Sequence, residues 1–433
     1  MLSYAYPSRV DKYWKESGKI SSSIIIHLLN LVYITGIVLA FISSYEWHRY
    51  YGIELNLNYR KLLEFVTYSI LITQILVINK KSSITICLTL FYTWIICPFF
   101  AYYVTADKEG IFLWVNAIGF LSLMLLTLYF PRLKLSELNN IDAANISFVV
   151  SVITIISVIG LFIAIKGMPN IGLLNIFSVY EFRSSQKIPA ILEYTRSFLI
   201  SSVVPLAFSY LFYKKKYALS FLLLLIPILI YFYTGSRVVF FQVFFIFAFS
   251  VLIRLKNPIF FIFTAMVFLV FATHILNSTS FYPISHFIFF RPIETNAWLS
   301  WAYFDIFKNE MPYFFSEHFD STTYPAARKV GLILFPEDGT SWVNVGFIGH
   351  AYYNLGLIGP FLFYILIAII IKVLQSFLKQ NIIIFLPFLL LFLQSLAGNN
   401  MITALFNRGY FFGFLLLILY GHAINLKLNA RNT

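Results

Sequence analysis

The sequence predicts an all-α polytopic membrane protein that forms one membrane domain over residues 1–433. Of its residues, 60% are hydrophobic and only 11% are charged, whereas a soluble globular domain carries about 25% charged residues. The hydrophobic residues form runs of about twenty, the length that an α-helix needs to cross a hydrocarbon core roughly 30 Å thick. Because short polar segments separate most of these runs, the chain is expected to cross the membrane repeatedly.

About twelve runs are predicted to be spans. They lie near Ser22–Ser44, Lys61–Asn79, Ser83–Val104, Ile111–Phe130, Ile146–Ile165, Ile191–Tyr213, Tyr217–Tyr233, Val238–Ile253, Pro258–Leu276, Gly346–Ile371, Ile382–Leu396 and Gly409–Asn425. Two breaks between them are enlarged, at about residues 166–190 and 277–345. The second, which we call the long segment, exceeds ordinary connection lengths, and such loops are usually functional or disordered. Because it is rich in aromatic residues, it is expected to fold and to carry the chemistry.

The distribution of Lys and Arg predicts the orientation, since these residues accumulate in cytoplasmic loops. An inside start places 17 of the 31 basic residues and 4 of the 18 acidic residues in the cytoplasm. The opposite face then holds 14 basic and 14 acidic residues. Topology therefore accounts for the whole net charge of +13, and a nucleic-acid partner is not indicated. Both termini are expected in the cytoplasm, and both enlarged loops on the outer face.

Arginine is concentrated on the outer face, where it makes up 8 of the 14 basic residues, against 4 of the 17 inner ones. Its guanidinium group suits bidentate binding of phosphate and carboxylate, so the excess indicates an anionic ligand on that side. Chance scatter among 31 residues is the alternative. The arginines predicted to bind substrate are Arg183, Arg196, Arg237, Arg291, Arg328 and Arg408.

Arg237 is the most specific of these predictions. It follows Thr234-Gly235-Ser236 between two runs of about sixteen or seventeen residues each, which barely span a bilayer. The turn is therefore expected below the outer surface, where polar backbone is tolerated only in a cavity. An arginine at that depth is costly and is a functional candidate by default. The alternative is that its side chain reaches the lipid headgroups.

Two other arginines leave alternatives open. Glu193 and Arg196 are three residues apart on one helical face, so an internal salt bridge competes with substrate contact. Arg408 follows Gly398-Asn399-Asn400 and is either an anchor or a ligand group. His350 is expected near the outer mouth of its span, where a neutral imidazole can accept a proton. A structural hydrogen bond is the competing role for this histidine.

The sequence shows no sign of a metal site or a cofactor. Its histidines lack the close paired spacing of a zinc motif, and neither a Gly-rich phosphate loop nor a nucleophile elbow is present. The cytoplasmic loops are too small to form a nucleotide site. Any substrate is therefore expected to arrive already activated and carried by the membrane.

Three motifs make the chain resemble the O-antigen polymerases, the Wzy-type oligosaccharide repeat-unit polymerases of the bacterial inner membrane. Thr234-Gly235-Ser236-Arg237 is similar to a Gly-Ser-Arg turn, and residues 352–359, YYNLGLIG, are similar to a Tyr-x-Asn-x-Gly-x-x-Gly run. Arg328 with Gly339 fits an Arg-x10-Gly pattern of the periplasmic loops. The earlier loop departs from that pattern, because Tyr194 lies eleven residues after Arg183.

This resemblance covers essentially the whole chain and implies a C-type glycosyltransferase-like architecture. It implies an undecaprenyl-pyrophosphate-linked glycan as donor, a lipid-linked repeat unit as acceptor, a metal-independent reaction and a chain-length regulator as a further protein partner. Attack by a sugar hydroxyl needs a base within hydrogen-bond reach. The candidates are Glu294, Asp305, His318, Asp338 and His350, of which Glu294, Asp338 and His350 are the predicted catalytic residues.

Two other functions compete with polymerisation. An O-antigen ligase shares the architecture and delivers its glycan to the lipid A core. A lipid-linked oligosaccharide flippase is a transporter with a similar number of spans, for which two related halves and short loops are expected. The asymmetric long segment and the lack of a visible repeat favour the enzyme.

Overall fold

A computed structural model describes residues 9–44, 55–80, 82–131, 143–170, 172, 182, 188–279, 282–285, 289, 292–310, 312–316, 325–336, 343–378 and 386–418. In these ranges the chain is helical and forms no β-strand. It divides into two compact units. Unit 1 contains residues 1–117 and 257–301, and unit 2 contains residues 118–256 and 302–433.

The helices follow one another with short connections in most places. In chain order they are α1 Arg9–Ser43, α2 Tyr59–Ile78, α3 Ser83–Thr105, α4 Gly110–Tyr129, α5 Ala143–Lys166, α6 Ala190–Tyr213, α7 Tyr217–Thr234, α8 Arg237–Leu252, α9 Pro258–Asn277, α10 Tyr282–Ser285, α11 Thr295–Phe307, α12 Ala326–Leu334, α13 Phe347–Leu355, α14 Ile358–Leu378, α15 Leu386–Gly398 and α16 410–418. Single π-helical turns occur at Tyr92–Ile96 in α3, at Leu199–Val203 in α6 and at Thr403–Asn407 before α16.

Nine helices of the described ranges are long and apolar enough to cross a membrane. They are α1 from Ser23 onward, α2 to α4, α5 from Phe148 onward, α6, α7, α9 and α14. The prediction of an all-helical, multi-pass membrane protein is therefore confirmed. Three further predicted spans coincide with shorter helices, namely α8, α15 and α16.

The predicted single span Gly346–Ile371 is wrong, because this run forms a hairpin of two helices, α13 and α14. The backbone turns at Gly356, whose φ of 63° is readily available only to glycine. The ring of Phe347 meets that of Tyr364 edge-on, with centroids 5.2 Å apart. A Cβ atom at Gly359 would collide with the Ala351 carbonyl oxygen. The two helices therefore pack side by side and run in opposite directions.

In unit 1, α1 and α9 pack in parallel. Gly36 faces Val270 so closely that a Cβ atom would lie 2.6 Å from its Cγ2, and one end of the pair is joined by a 3.1 Å hydrogen bond from Asn277 Nδ2 to Ser44 Oγ. The neighbouring α2 runs opposite to α1. Parallel packing of α1 and α9 agrees with the predicted alternation of spans, in which both run in the same direction.

In unit 2, α15 occupies the centre. It packs against α6, α8, α13 and the π turn Thr403–Asn407, and most of its side chains are buried. The C-terminal end of this helix is consequently surrounded by the elements that carry Arg196, His350 and Arg408. The candidate functional site lies at this end of α15.

Candidate functional site

Arg408 lies at the end of the π turn that follows α15. Its side chain is half-buried, and its Nε and Nη2 atoms each lie 3.4 Å from Oδ1 of Asn399. The Asn399 amide is itself anchored by a 2.9 Å hydrogen bond from Nδ2 to the Ser395 carbonyl oxygen. Within the described ranges, the contact of this guanidinium group is thus a neutral amide rather than a carboxylate.

Arg196 is buried on the first turns of α6, where it forms an ion pair with Glu193. This is the internal salt bridge that the spacing of the two residues predicts. One turn further on, the π turn Leu199–Val203 brings the Ser202 hydroxyl to the Gly409 carbonyl oxygen, to which it donates a 2.9 Å hydrogen bond. The helix of Arg196 and the turn of Arg408 are therefore in direct contact.

Gly409 makes this contact possible. Its φ is 75°, which strains any residue with a Cβ atom, and a Cβ atom would also lie 2.8 Å from the Cα atom of Phe198. The next residue, Tyr410, is buried, and its hydroxyl is hydrogen-bonded to Ser201 and Ser395. Polar side chains thus line the interior next to Arg408.

His350 approaches the same end of α15 from α13. The backbone at Gly346, which caps α13, touches the Ala397 carbonyl group of α15, and a Cβ atom there would lie 2.9 Å from the Leu396 carbonyl oxygen. His350 follows one turn later and is 4% exposed. Its Nε2 atom lies 3.2 Å from Nδ2 of Asn354, which also donates to the His350 carbonyl oxygen at 3.0 Å.

The Asn354 side chain bridges His350 and the backbone of the long segment. Its Oδ1 atom accepts a 2.6 Å hydrogen bond from the Phe315 backbone N–H, so Nδ2 faces the imidazole ring. Nδ2 lies 3.4 Å from Nδ1 and 3.2 Å from Nε2 of His350, and an amide nitrogen can only donate, so a ring nitrogen that bonds to it must accept. The predicted role of His350 as a base stays a prediction.

The structure therefore brings Arg196, Arg408 and His350 to elements that converge on the end of α15. A guanidinium group facing a neutral partner can stabilise a phosphate on which negative charge develops. An imidazole ring nitrogen can donate or accept a hydrogen bond, depending on its tautomer.

Glu294 lies in unit 1 and is 1% exposed. The Ser44 hydroxyl donates a 3.3 Å hydrogen bond to its Oε1 atom, and Ser44 in turn accepts from Asn277. Burial raises the pKa of the Glu294 carboxyl well above its usual value, against the smaller opposing effect of the Ser44 hydrogen bond. This environment favours a neutral carboxyl group, which donates a proton rather than accepting one. Its predicted catalytic role stays a prediction.

The remaining predicted residues are placed less completely. Arg237 is the first residue of α8, after a turn in which Gly235 has a φ of 62° and Thr234 Oγ1 accepts the Ser236 N–H at 3.2 Å. The side chain of Arg237 is outside the described part of the structure. Arg328 is half-buried on α12. Arg183, Arg291 and Asp338 fall outside the described residues.

Sequence reasoning did not single out the side chains of Asn354 and Asn399 that position His350 and Arg408. A usable signal was present, because each asparagine follows a hydrophobic stretch close to a glycine, where a polar side chain must find a partner. A cluster formed by Glu310, Tyr313 and Lys329 was also missed. The Lys329 ammonium group contacts both carboxylate oxygens of Glu310, at 2.5 and 2.8 Å, and the Tyr313 hydroxyl donates to Glu310 at 2.5 Å.

Among the described residues, no group of three or more His, Cys, Asp or Glu side chains could hold a metal ion. No family model, no curated protein and no solved structure matches the chain. The residues at the end of α15, their contacts and their charges are consequently the basis for assigning a function.

Proposed function

We propose that this protein is an oligosaccharide repeat-unit polymerase of the O-antigen type. In this proposal it crosses the bacterial inner membrane twelve times, with both termini in the cytoplasm and both enlarged loops in the periplasm. Nine helices of spanning length support this topology, together with α8, α15 and α16 at the positions of the other three predicted spans. The hairpin α13–α14 adds one re-entrant helix to that scheme.

The observation that carries the proposal is the environment of Arg408. A buried or half-buried cation in a membrane protein is costly unless a partner or a ligand offsets its charge. Glu193 supplies that partner to Arg196, whereas Asn399 supplies only an amide oxygen to Arg408. An undecaprenyl-pyrophosphate headgroup would supply a negative charge beside the guanidinium group of Arg408.

The reaction would exchange one bond at the anomeric carbon of the donor glycan. The acceptor hydroxyl oxygen forms a bond to this carbon, while the bond from the carbon to the pyrophosphate oxygen breaks and leaves undecaprenyl pyrophosphate. The hydroxyl proton passes to a base, for which Asp338 and His350 are candidates from the sequence. Arg408 stabilises the departing pyrophosphate.

The test is deletion of the gene in the native host, followed by gel analysis of lipopolysaccharide. A product with one repeat unit on the core is expected from loss of a polymerase. Core without any O-antigen would instead indicate a ligase, and loss of the periplasmic precursor would indicate a flippase. An unchanged ladder of polymerised O-antigen would overturn the proposal.

The topology has its own test. A reporter fused after Lys216 should read cytoplasmic, and one inserted near Ser321 should read periplasmic, because an odd number of spans separates these positions in the proposed scheme. Reports from the same side for both fusions would contradict the scheme and remove the reason for assigning Arg408 to the periplasmic face.

A further inference from the structure

Three consecutive backbone N–H groups of the long segment cap the C-terminal end of α13. Tyr313 N–H donates to the Tyr353 carbonyl oxygen at 3.2 Å, and Phe314 N–H donates to that of Asn354 at 2.9 Å. Phe315 N–H donates to the Asn354 side chain at 2.6 Å. These bonds satisfy carbonyl groups that a helix end leaves without intrahelical partners. We call Tyr313–Phe315 the capping loop.

The capping loop adopts a conformation that is unfavourable for its residues. Phe314 has a φ of 46° and Phe315 a φ of 62°, and the left-handed region costs a bulky L-residue about 1–2 kcal/mol. Glycine or asparagine would occupy both positions at lower cost. Packing explains the side chain of Phe315, whose ring centroid lies 6.1 Å from that of His350 and 6.5 Å from that of Phe363.

Packing does not explain the side chain of Phe314, which is 69% exposed. A large apolar side chain held in a strained backbone and turned outward is the kind of outlier from which a function can be inferred. The capping bonds and the stacking of Tyr313 on Tyr353, with centroids 4.4 Å apart, fix the loop, so the ring is presented in a defined position.

Charged and hydroxyl groups belong to residues that are close to Phe314 in the chain. Tyr313 precedes Phe314 in the chain and donates to Glu310, which is paired with Lys329. About a third of each charged side chain is exposed. The carboxylate oxygens retain acceptor capacity beyond the bonds they make here, and the ammonium group carries three donor hydrogens. An exposed aromatic face is thus combined with charged groups able to bind hydroxyls.

We propose that Phe314 is a stacking platform for a pyranose ring of the glycan substrate, with Glu310 and Lys329 binding the hydroxyl groups of the same or the next sugar. The inference rests on the proposed function and names the part of the protein that would hold its glycan. The C–H groups on one face of a pyranose carry partial positive charge and are attracted to the negative face of an aromatic ring. Hydroxyl groups bind best to ionised partners.

The position of the platform suits this role. The capping loop is bonded to Asn354, and Asn354 contacts His350 one helical turn away, a distance of about 5.4 Å along the axis. A glycan on Phe314 would therefore lie near the end of the helix that carries His350, a predicted base. A lipid anchor is the alternative for an exposed Phe, but the Glu310–Lys329 ion pair, which is bonded to the preceding Tyr313, favours a hydrated ligand over acyl chains.

Binding can be measured on the purified full-length protein in nanodiscs. The probe is the repeat-unit oligosaccharide of the native host, released from its lipid carrier by mild acid. We expect Phe314→Ala to weaken binding about tenfold and Phe314→Trp to stay within about twofold of wild type, since stacking is what the ring contributes. Phe268→Ala is the matched control, because Phe268 is also highly exposed but lies on α9.

A second variant separates binding from folding. Asparagine tolerates the left-handed region, so Phe314→Asn should keep or raise the thermal unfolding midpoint and still weaken binding by about tenfold. Equal affinity in wild type, Phe314→Ala and Phe314→Asn would overturn the platform, as would the absence of oligosaccharide binding by wild type. Neither result would alter the gene-deletion phenotype, so failure of the platform is distinguishable from failure of the proposed polymerase.

Whether the side chain at position 314 inserts into lipid can also be measured directly. Phe314→Cys and Phe268→Cys can be labelled with bimane, because the native Cys87 and Cys97 are buried. Brominated lipids should quench the label at position 268 and leave the label at position 314 largely unquenched. Equal quenching at the two positions would identify Phe314 as a membrane anchor and overturn the proposal.

Discussion

Arg196 and Arg408 lie in adjoining elements of one unit, yet their surroundings differ in kind. The buried guanidinium group of Arg196 is paired with the carboxylate of Glu193, so its charge is already balanced. Arg408 is half-buried and contacts the amide of Asn399. The comparison teaches that an excess of arginine on one face does not by itself identify ligand-binding groups. The residue that contacts each arginine has to be known before a structural or a substrate-binding role is proposed for it.

The largest expected effect is on activity, from Arg408→Ala. Loss of one preorganised charge-stabilising donor typically lowers a rate about a hundredfold or more, whereas the fold should persist because, among the described residues, the Arg408 side chain makes only 3.4 Å bonds to an amide oxygen. Arg408→Lys should recover little of the loss, since a point charge cannot reproduce the guanidinium fork. The readout is the ladder of polymerised O-antigen at matched membrane levels of protein.

Arg60→Ala is the control for that experiment. Its side chain is 91% exposed, and we expect normal polymerisation. A full ladder from Arg408→Ala would contradict the assignment of Arg408 to the substrate and make the two arginines equivalent in function.

The next largest effect is a loss of stability from Gly409→Ala. Gly409 lies where the helix that carries Arg196 contacts the turn that carries Arg408. The added Cβ atom would enforce a strained φ and collide with Phe198, at an expected cost of about 2–4 kcal/mol. The thermal unfolding midpoint in detergent should fall accordingly.

Gly160→Ala provides the matched control within α5. A Cβ atom at Gly160 meets nothing within 4 Å, and alanine is the better helix former, so its midpoint should stay the same or rise slightly. A midpoint for Gly409→Ala as high as that of the control would show that the two segments are not held together at this residue.

A smaller loss of stability is expected from Glu193→Gln, which removes the ion pair between Glu193 and the buried Arg196. Breaking a fully buried pair costs about 3–5 kcal/mol, but the Glu193 side chain is 44% exposed, so solvent screening should reduce the loss to about 1–2 kcal/mol. The measurement is the unfolding midpoint together with the amount of folded protein. The opposite pattern, normal stability with lost activity, would move Arg196 into the same class as Arg408.

The smallest expected effect is the loss of stability when the Glu310–Lys329 ion pair is broken. Each of the two side chains is about one-third exposed, so solvent weakens their attraction. Burial raises the pKa of Glu310, but the hydrogen bonds from Lys329 and Tyr313 and the charge of Lys329 outweigh it, so that the pKa lies below its usual value. The pKa of Lys329 is raised overall, because the hydrogen bonds and charges of its partners exceed the opposing effect of burial.

These directions fix the sign of the pH dependence. A lowered carboxyl pKa contributes stability that is present above the unfolded pKa, about 4.3, and is lost as the pH falls through the folded value. A raised ammonium pKa contributes stability that is lost only as the pH rises above about 10.4. Glu310→Gln should therefore lower stability at neutral pH by about 0.5–1 kcal/mol, and the difference from wild type should disappear in acid. A difference that persists at pH 3 would contradict an ionic origin.

The class of protein, the all-helical fold and most of the spans could be predicted from the sequence, because the length and apolar character of a run are local properties. Eight of the predicted spans coincide with helices long enough to cross a membrane, and the ninth such helix, α14, covers only part of the predicted span Gly346–Ile371. The pairing of Glu193 with Arg196 was also predictable, since residues three apart on a helix are neighbours whatever surrounds them.

Tertiary structure alone decided the rest. The run Gly346–Ile371 is apolar throughout, and hydropathy cannot distinguish one long helix from two antiparallel ones that bury the same side chains. The left-handed turn at Gly356 and its contacts make it a hairpin. Likewise, the capping loop adopts its conformation because it meets the end of α13, which lies 39 residues further along the chain. Such contacts depend on the packing of the whole unit, which no local pattern of residues encodes.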